Sequence, residues 1–273
     1  MKTEVPILTY HEIIDDDFRG RELLRKMKKG YFVKKSVFDE QMQYLKNEGL
    51  SCITLREFAE FLKNPIETIL PERCFAITFD DGYLGNHKYA LPILKKYDFT
   101  ASFFVTVNFI GTPFMMGWNE LMHLKEGGMS IQSHTLSHPF LKQMNDYEVR
   151  RELQESKKIL EDKLKIQVDF FSLPHGSYGN NYKRIAIESS FLGGCSSKEG
   201  LNDKSTDIYL LKRINTSGDY RLLDFIRIIN RDKSFIGFLT FREGLKNLVK
   251  NLLGEKLYDN LYNLIFNLVG KNE

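Results

Sequence analysis

Two short stretches of this 273-residue chain gather side chains that bind metals and move protons. Thr78-Phe79-Asp80-Asp81-Gly82-Tyr83 sets two adjacent carboxylates behind a compact apolar run, Cys74 to Phe79. Asp-Asp-Gly is ordinary turn chemistry. A chemical role requires the two carboxylates to diverge, one toward a metal and the other toward a water or proton, and an irregular turn allows this. Ser133-His134-Thr135-Leu136-Ser137-His138 sets two imidazoles four residues apart, and two of the chain's six histidines lie here. On a helical turn that spacing puts both rings on one side, close enough to share an ion at zinc–nitrogen distances of about 2.0–2.1 Å. Two His and one Asp leave coordination positions open for water and substrate, as a catalytic site requires. Asp80, Asp81, His134 and His138 together point to divalent-metal hydrolysis.

The pair of motifs, TFDDGY and then SHTLSHP, resembles the polysaccharide deacetylase family (the NodB-homology domain, carbohydrate esterase family four) over residues 5–216. The resemblance implies a distorted (β/α) barrel, with Asp80 as general base and Asp81, His134 and His138 as metal ligands. The family's third motif usually reads Arg-x-Pro-x-Gly, its arginine orienting the catalytic Asp. Here the stretch is Ser172-Leu173-Pro174-His175-Gly176, so Ser172 stands where that arginine would be. Arg213, in Leu211-Lys212-Arg213-Ile214, is the candidate substitute; the plainer alternative is an exposed charge at a strand end. Pro174 and Gly176 fit a wall-forming loop, and the His175 backbone N–H could help hold an oxyanion. The His175 side chain could equally line the groove with no chemical role.

The family's late Leu-x-His, which supplies the general acid, has no counterpart, since no histidine follows His175. The early Ile7-Leu8-Thr9-Tyr10-His11 instead resembles the permuted branch that includes poly-N-acetylglucosamine deacetylases. That resemblance implies His11 as the acid; otherwise it is a strand-end histidine bonded to backbone. The activity implied is metal-dependent removal of N-acetyl groups from an N-acetylglucosamine-type saccharide or glycan precursor. Zinc is the expected ion, with Co2+, Ni2+ and Mn2+ as alternatives. Two other readings are a deacylase acting on a small or lipid-linked amide, and a degenerate carbohydrate-binding module.

Other candidates have simpler readings. His87 and His123 fall in helical segments as surface or packing residues. Asp15-Asp16-Asp17 lacks EF-hand spacing and reads as a solvated loop rather than a calcium site. Trp118 and Tyr178 could offer flat surface to a sugar ring, and Trp118 fits a core position equally well.

Positioning these residues requires alternating elements. Strands are expected at Val5 to Tyr10, Cys74 to Phe79, Ala101 to Val107, Ser130 to Gln132, Phe170 to Leu173, Leu192 to Cys195 and Leu210 to Ile214. Helices are expected from a Ser36 cap to Asn47, after a Thr54–Glu57 capping box, and over Leu91 to Tyr97, Trp118 to Lys125 and Asp146 to Leu164. This alternation argues for parallel β/α architecture, with chemistry where strands end and loops begin. Residues 1–218 are read as the catalytic domain and 219–273 as an amphipathic helical extension, broken at Gly254. That extension is expected to pack on the barrel, with membrane-surface binding and a partner helix as further readings.

A net charge of +3 without a dense Lys/Arg block gives no reason to invoke nucleic acid. Cys52, Cys74 and Cys195 form no disulfide framework, and Cys52 and Cys74 read as buried thiols in a reducing compartment. No signal-like apolar stretch opens the chain and no run reaches the ~18 residues of a membrane span. The expected location is therefore cytoplasmic, with peripheral contact at the inner membrane face open through the C-terminal helices.

Overall fold

A computed structural model describes residues 3–18, 31–216, 218 and 220–253. Among the described residues, ten strands alternate with eight α-helices. The first half comprises β1 (Ile7–Tyr10), β2 (Glu12–Ile14), β3 (Phe32–Lys34), α1 (Lys35–Asn47), β4 (Ser51–Cys52), α2 (Leu55–Lys63), β5 (Cys74–Phe79), α3 (Leu91–Tyr97) and β6 (Ser102–Val105). The second comprises α4 (Trp118–Glu126), β7 (Ser130–Ser133), α5 (Asp146–Leu164), β8 (Phe170–Ser172), α6 (Tyr182–Glu188), β9 (Gly193–Cys195), β10 (Ile214–Asn215), α7 (Leu222–Ile229) and α8 (Lys233–Leu253).

The principal sheet runs β10-β1-β5-β6-β7-β8-β9, every ladder parallel, with β4 added beside β5. It is a mostly parallel sheet curled into a half-barrel and surrounded by helices. Helices cover a parallel sheet, so its strands read as continuous apolar runs; all six residues of β5 are buried. The curl nearly closes on itself. Leu211 N–H donates to the Gly194 carbonyl (2.9 Å) and Ser196 N–H to the Leu211 carbonyl (2.9 Å), while Leu8 and Thr9 pair with Ile214 and Asn215. Residues 211–215 thus seam the β9 edge to the β1 edge, and Arg213 sits in the seam.

The expected β5, α3 and α5 have the predicted bounds, and the Thr54–Glu57 capping box is formed. Ser36 does not cap α1: the cap position is Lys34, and the Ser36 hydroxyl instead donates to Asp16. The segment expected as a strand from Leu210 to Ile214 begins as a 3-10 turn, Ile208–Leu210, and joins the sheet only from Leu211 onward. Strands β2, β3 and β4 are too short to display a period. Cys74 and Cys195 are buried and Cys52 half-buried, its thiol donating to the Thr100 carbonyl (3.1 Å), and all three are free.

Beyond residue 218, α7 delivers Phe225, Ile228 and Ile229, and α8 delivers Ile236 and Leu239, to the same core that the sheet and α5 fill. Phe238, Phe241, Leu245 and Leu248 of α8 face outward. The rest of the expected amphipathic extension, from the break at Gly254 onward, lies outside the described residues. Among the described residues, no helix is long and apolar enough to cross a membrane.

Candidate active site

The site lies where β1, β5, β7 and β8 end. Asp80 follows β5 with its N–H bonded to the Tyr10 carbonyl (3.0 Å), which fixes the strand end. Asp81 then turns into the left-handed region at φ 71°, followed by Gly82 at 92°. A non-glycine residue there is strained and needs tertiary support. The turn sends the adjacent carboxylates to different partners, Asp80 to Arg213 and Asp81 to the two histidines.

His134 and His138 are brought together without a helical turn. Thr135 and His138 both adopt positive φ (67° and 62°), coiling the loop tightly. Glu152 of α5 clamps it: its carboxylate accepts from the N–H groups of Leu136 and Ser137 (both 2.9 Å) and from the Ser137 hydroxyl (2.7 Å). His134 Nδ1–H donates to the Ser172 carbonyl (3.0 Å), which directs Nε2 at Asp81. Such outer bonds fix the tautomer of a metal-binding imidazole. Asp81 Oδ1 lies 3.4 Å from His134 Nε2 and 3.3 Å from His138 Nε2. One ligand atom from each residue falls within 4.8 Å of the others, the sole such group of three or more among the described residues. Two imidazole nitrogens and a carboxylate oxygen at this separation fit a divalent ion with open positions.

Arg213 is not an exposed strand-end charge. It is 5% exposed, and its Nη1 and Nη2 each donate to one Asp80 oxygen at 2.7 Å. Nη2 also donates to the Ser172 hydroxyl (2.9 Å), which in turn donates to Asp80 Oδ2 (3.2 Å), and Nε donates to the Ser196 carbonyl (3.0 Å). Burial pushes the Asp80 carboxyl upward, but the positive charges of Arg213 and His134 outweigh it and hold the group below its ordinary value. For Asp81, too, burial is outweighed, by hydrogen bonds from His134 and His138, and its pKa lies well below the usual range. His134 is lowered by burial but raised more by Asp80 and Asp81. The basin is anionic and favours positive charge at its centre.

His11 ends β1 half-buried, its ring 4.2 Å from that of Tyr31. Burial lowers its pKa, against the opposing charges of Asp81 and Asp80, so it lies within the field of both. Its Nδ1 is buried with no hydrogen-bond partner among the described residues. Pro174 is buried, while His175 and Gly176 turn through positive φ (57° and 65°). A Cβ on Gly176 would lie 1.8 Å from Ser197 Oγ, so glycine is required there. The His175 ring stacks on Phe140 (3.9 Å between centroids) and meets His138 edge-on at 4.5 Å, making a wall of the site.

Tyr178 is half-buried just beyond that wall, beneath the Lys198 ammonium (5.8 Å), while Trp118 packs against the main core. Asp15 and Asp16 take hydroxyl bonds from Tyr89 and Ser36, and with Asp17 they join no set of three metal ligands among the described residues. Glu152 and Phe140 were missed in the sequence reading. The signal for Glu152 was a charged residue on the inner stripe of α5, between Val149 and Ser156.

The parallel half-barrel and its strand-end cluster of metal donors resemble those of deacetylases, as comparison with known proteins also indicates. Residues 68–191 match the polysaccharide deacetylase family. Bacillus subtilis YxkH is 29% identical over 221 residues, 80% of this chain and 74% of that protein. Poly-beta-1,6-N-acetyl-D-glucosamine N-deacetylase of Staphylococcus aureus (strain MRSA252) is 25% identical over 230 residues, 78% of each chain. Among solved structures, the Streptococcus pyogenes deacetylase PplD in complex with acetate matches with a TM-score of 0.76 at 26% identity, covering 84% of this chain and 99% of PplD.

Proposed function

We propose that this chain removes N-acetyl groups from an N-acetylglucosamine-type saccharide, using a divalent ion held by Asp81, His134 and His138. The nitrogen-rich, three-ligand set favours zinc. The observation that carries the reading is the buried Asp80 carboxylate, held by Arg213, beside that separate cluster of three donors. The Staphylococcus aureus relative supports the sugar class, and the acetate of the PplD complex is the acid such a reaction releases.

A divalent ion in the cluster would polarise the amide carbonyl and acidify water. Asp80, kept ionised and oriented by Arg213 and Ser172, takes a proton from the attacking water as the new C–O bond forms. The His175 backbone N–H, set in a left-handed turn at the wall, donates to the developing oxyanion. His11 gives a proton to the amine nitrogen as the C–N bond breaks. Burial makes its imidazolium a readier donor, and the neighbouring carboxylates keep that cation accessible. Acetate and a free amino sugar result.

Acetate release from N-acetylglucosamine oligomers, measured beside metal content, tests this reading. Asp80→Asn is expected to lose turnover and keep its metal, whereas His134→Ala loses the metal. Full activity in Asp80→Asn, or turnover that survives exhaustive chelation, would sink the mechanism. Oligomer binding without any acetate release would instead support a non-catalytic module.

A further inference from the structure

Away from the site, two histidines that the reaction leaves unused meet across an element junction. His87 lies in a single π-turn, Asn86–Ala90, which follows the Asp80–Asp81 turn and leads into α3. π-Turns recur at functional positions. His123 lies in the last turn of α4, which packs against that π-turn. His87 Nε2 and His123 Nδ1 are 3.2 Å apart, the ring centroids 5.3 Å apart and the planes inclined by 31°. His123 is exposed and His87 half-buried, so ions in solvent reach the pair.

The separation suits a shared ion. Two nitrogens on a tetrahedral zinc, each at about 2.0–2.1 Å, stand roughly 3.3–3.4 Å from one another. Burial and the charge of His123 depress the pKa of His87, which favours the neutral, ligating form. Glu120 is three residues before His123 on α4, a spacing that puts both on one face. Its charge acts on His87 in the opposite sense, so it lies within that ring's field. Glu120 Oε2 accepts from the Gly117 N–H (2.8 Å), and with the two rings Glu120 makes no set of three converging ligand atoms among the described residues.

We propose that His87 and His123, with solvent as the remaining ligands, bind a borderline transition ion such as Zn2+, Ni2+ or Cu2+ at a second site separate from the Asp81 cluster. Imidazole donors select these ions over Ca2+ and Mg2+. A bound ion would staple the segment that follows the Asp pair to α4.

Zinc stoichiometry of the full chain, by equilibrium dialysis near neutral pH, tests the proposal. The H87A/H123A variant is expected to bind one equivalent less than wild type and to keep its acetate-release activity. The H134A/H138A variant is expected to retain one equivalent, which disappears when all four substitutions are combined. Zinc should also raise the melting temperature of H134A/H138A, since an ion that binds only the folded state stabilises it, and should not do so once His87 and His123 are replaced. Unchanged stoichiometry in H87A/H123A overturns the second site, even if H134A/H138A does not fold. A zinc content insensitive to H134A/H138A counts against the Asp81 cluster and leaves this inference standing.

Discussion

Arg213, Ser172 and Asp80 form one unit: the guanidinium spans both carboxylate oxygens and the serine hydroxyl closes the triangle. Removing one partner from a buried ion pair typically costs about 3–5 kcal/mol, because the other charge is left uncompensated. Arg213→Ser should therefore lower the unfolding free energy by roughly that amount and reduce kcat by about 100-fold, as Asp80 loses both its orientation and its low pKa. The double variant Ser172→Arg/Arg213→Ser returns a guanidinium to the third-motif position, in space that Arg213 vacates. It is expected to recover at least about tenfold in kcat over the single change, a difference of about 1.4 kcal/mol in the barrier. Equal kcat in the single and double variants would show that the position of the arginine matters more than its charge. The departure at Ser172 was legible in the sequence, and so was the candidacy of Arg213. Its burial was not, because spacing along the chain does not reveal which strands close a curled sheet.

At the scale of elements, β2 is fastened to the loop of the Asp pair by Glu12. This carboxyl is 4% exposed, accepts from the N–H groups of Gly85 and Ile13, and leaves Oε1 without a hydrogen-bond partner among the described residues. Burial raises its pKa from 4.5 to about 8. The folded state therefore holds a proton that the unfolded chain releases near 4.5. The resulting stability is whole below that value and declines as pH rises toward 8, by about 1.4 kcal/mol per pH unit. Melting temperatures taken between pH 5 and 8.5 should fall less steeply for Glu12→Gln than for wild type, and parallel slopes would rule Glu12 out as the source. Gly85 has no room for a side chain: a Cβ would stand 1.9 Å from the Ile13 carbonyl oxygen and 2.1 Å from Glu12 Oε1. Gly85→Ala should destabilise by about 3 kcal/mol through this overpacking, as denaturant unfolding would report. The helices α3 and α5 and the buried strand β5 were readable because their patterns are long or uninterrupted. The His134–His138 turn was not, since two left-handed residues bring the rings together where helical spacing was expected.

At the scale of the molecule, the boundary drawn at residue 218 divides one hydrophobic core. Phe225 and Ile228 are fully buried and Ile229 nearly so, in the cluster that also holds Phe79, Phe103 and Leu153. Each such side chain is worth about 1.5–3 kcal/mol, against a total stability of about 5–15 kcal/mol. A chain ending at residue 218 should therefore lack a cooperative melt in calorimetry; a sharp transition near that of the full chain would contradict this.

The seam at residues 211–215 also orders events in time. Leu8 pairs with Ile214, so the first and last strands of the sheet are joined by contacts between residues almost the whole barrel apart in the chain. Contacts this distant along the chain form slowly. The same closing step carries Arg213 to Asp80, and until then the acid has no buried counter-charge. Under the proposed mechanism, partly assembled chains would lack an oriented Asp80, and recovery of turnover during refolding would time the final closure of the barrel.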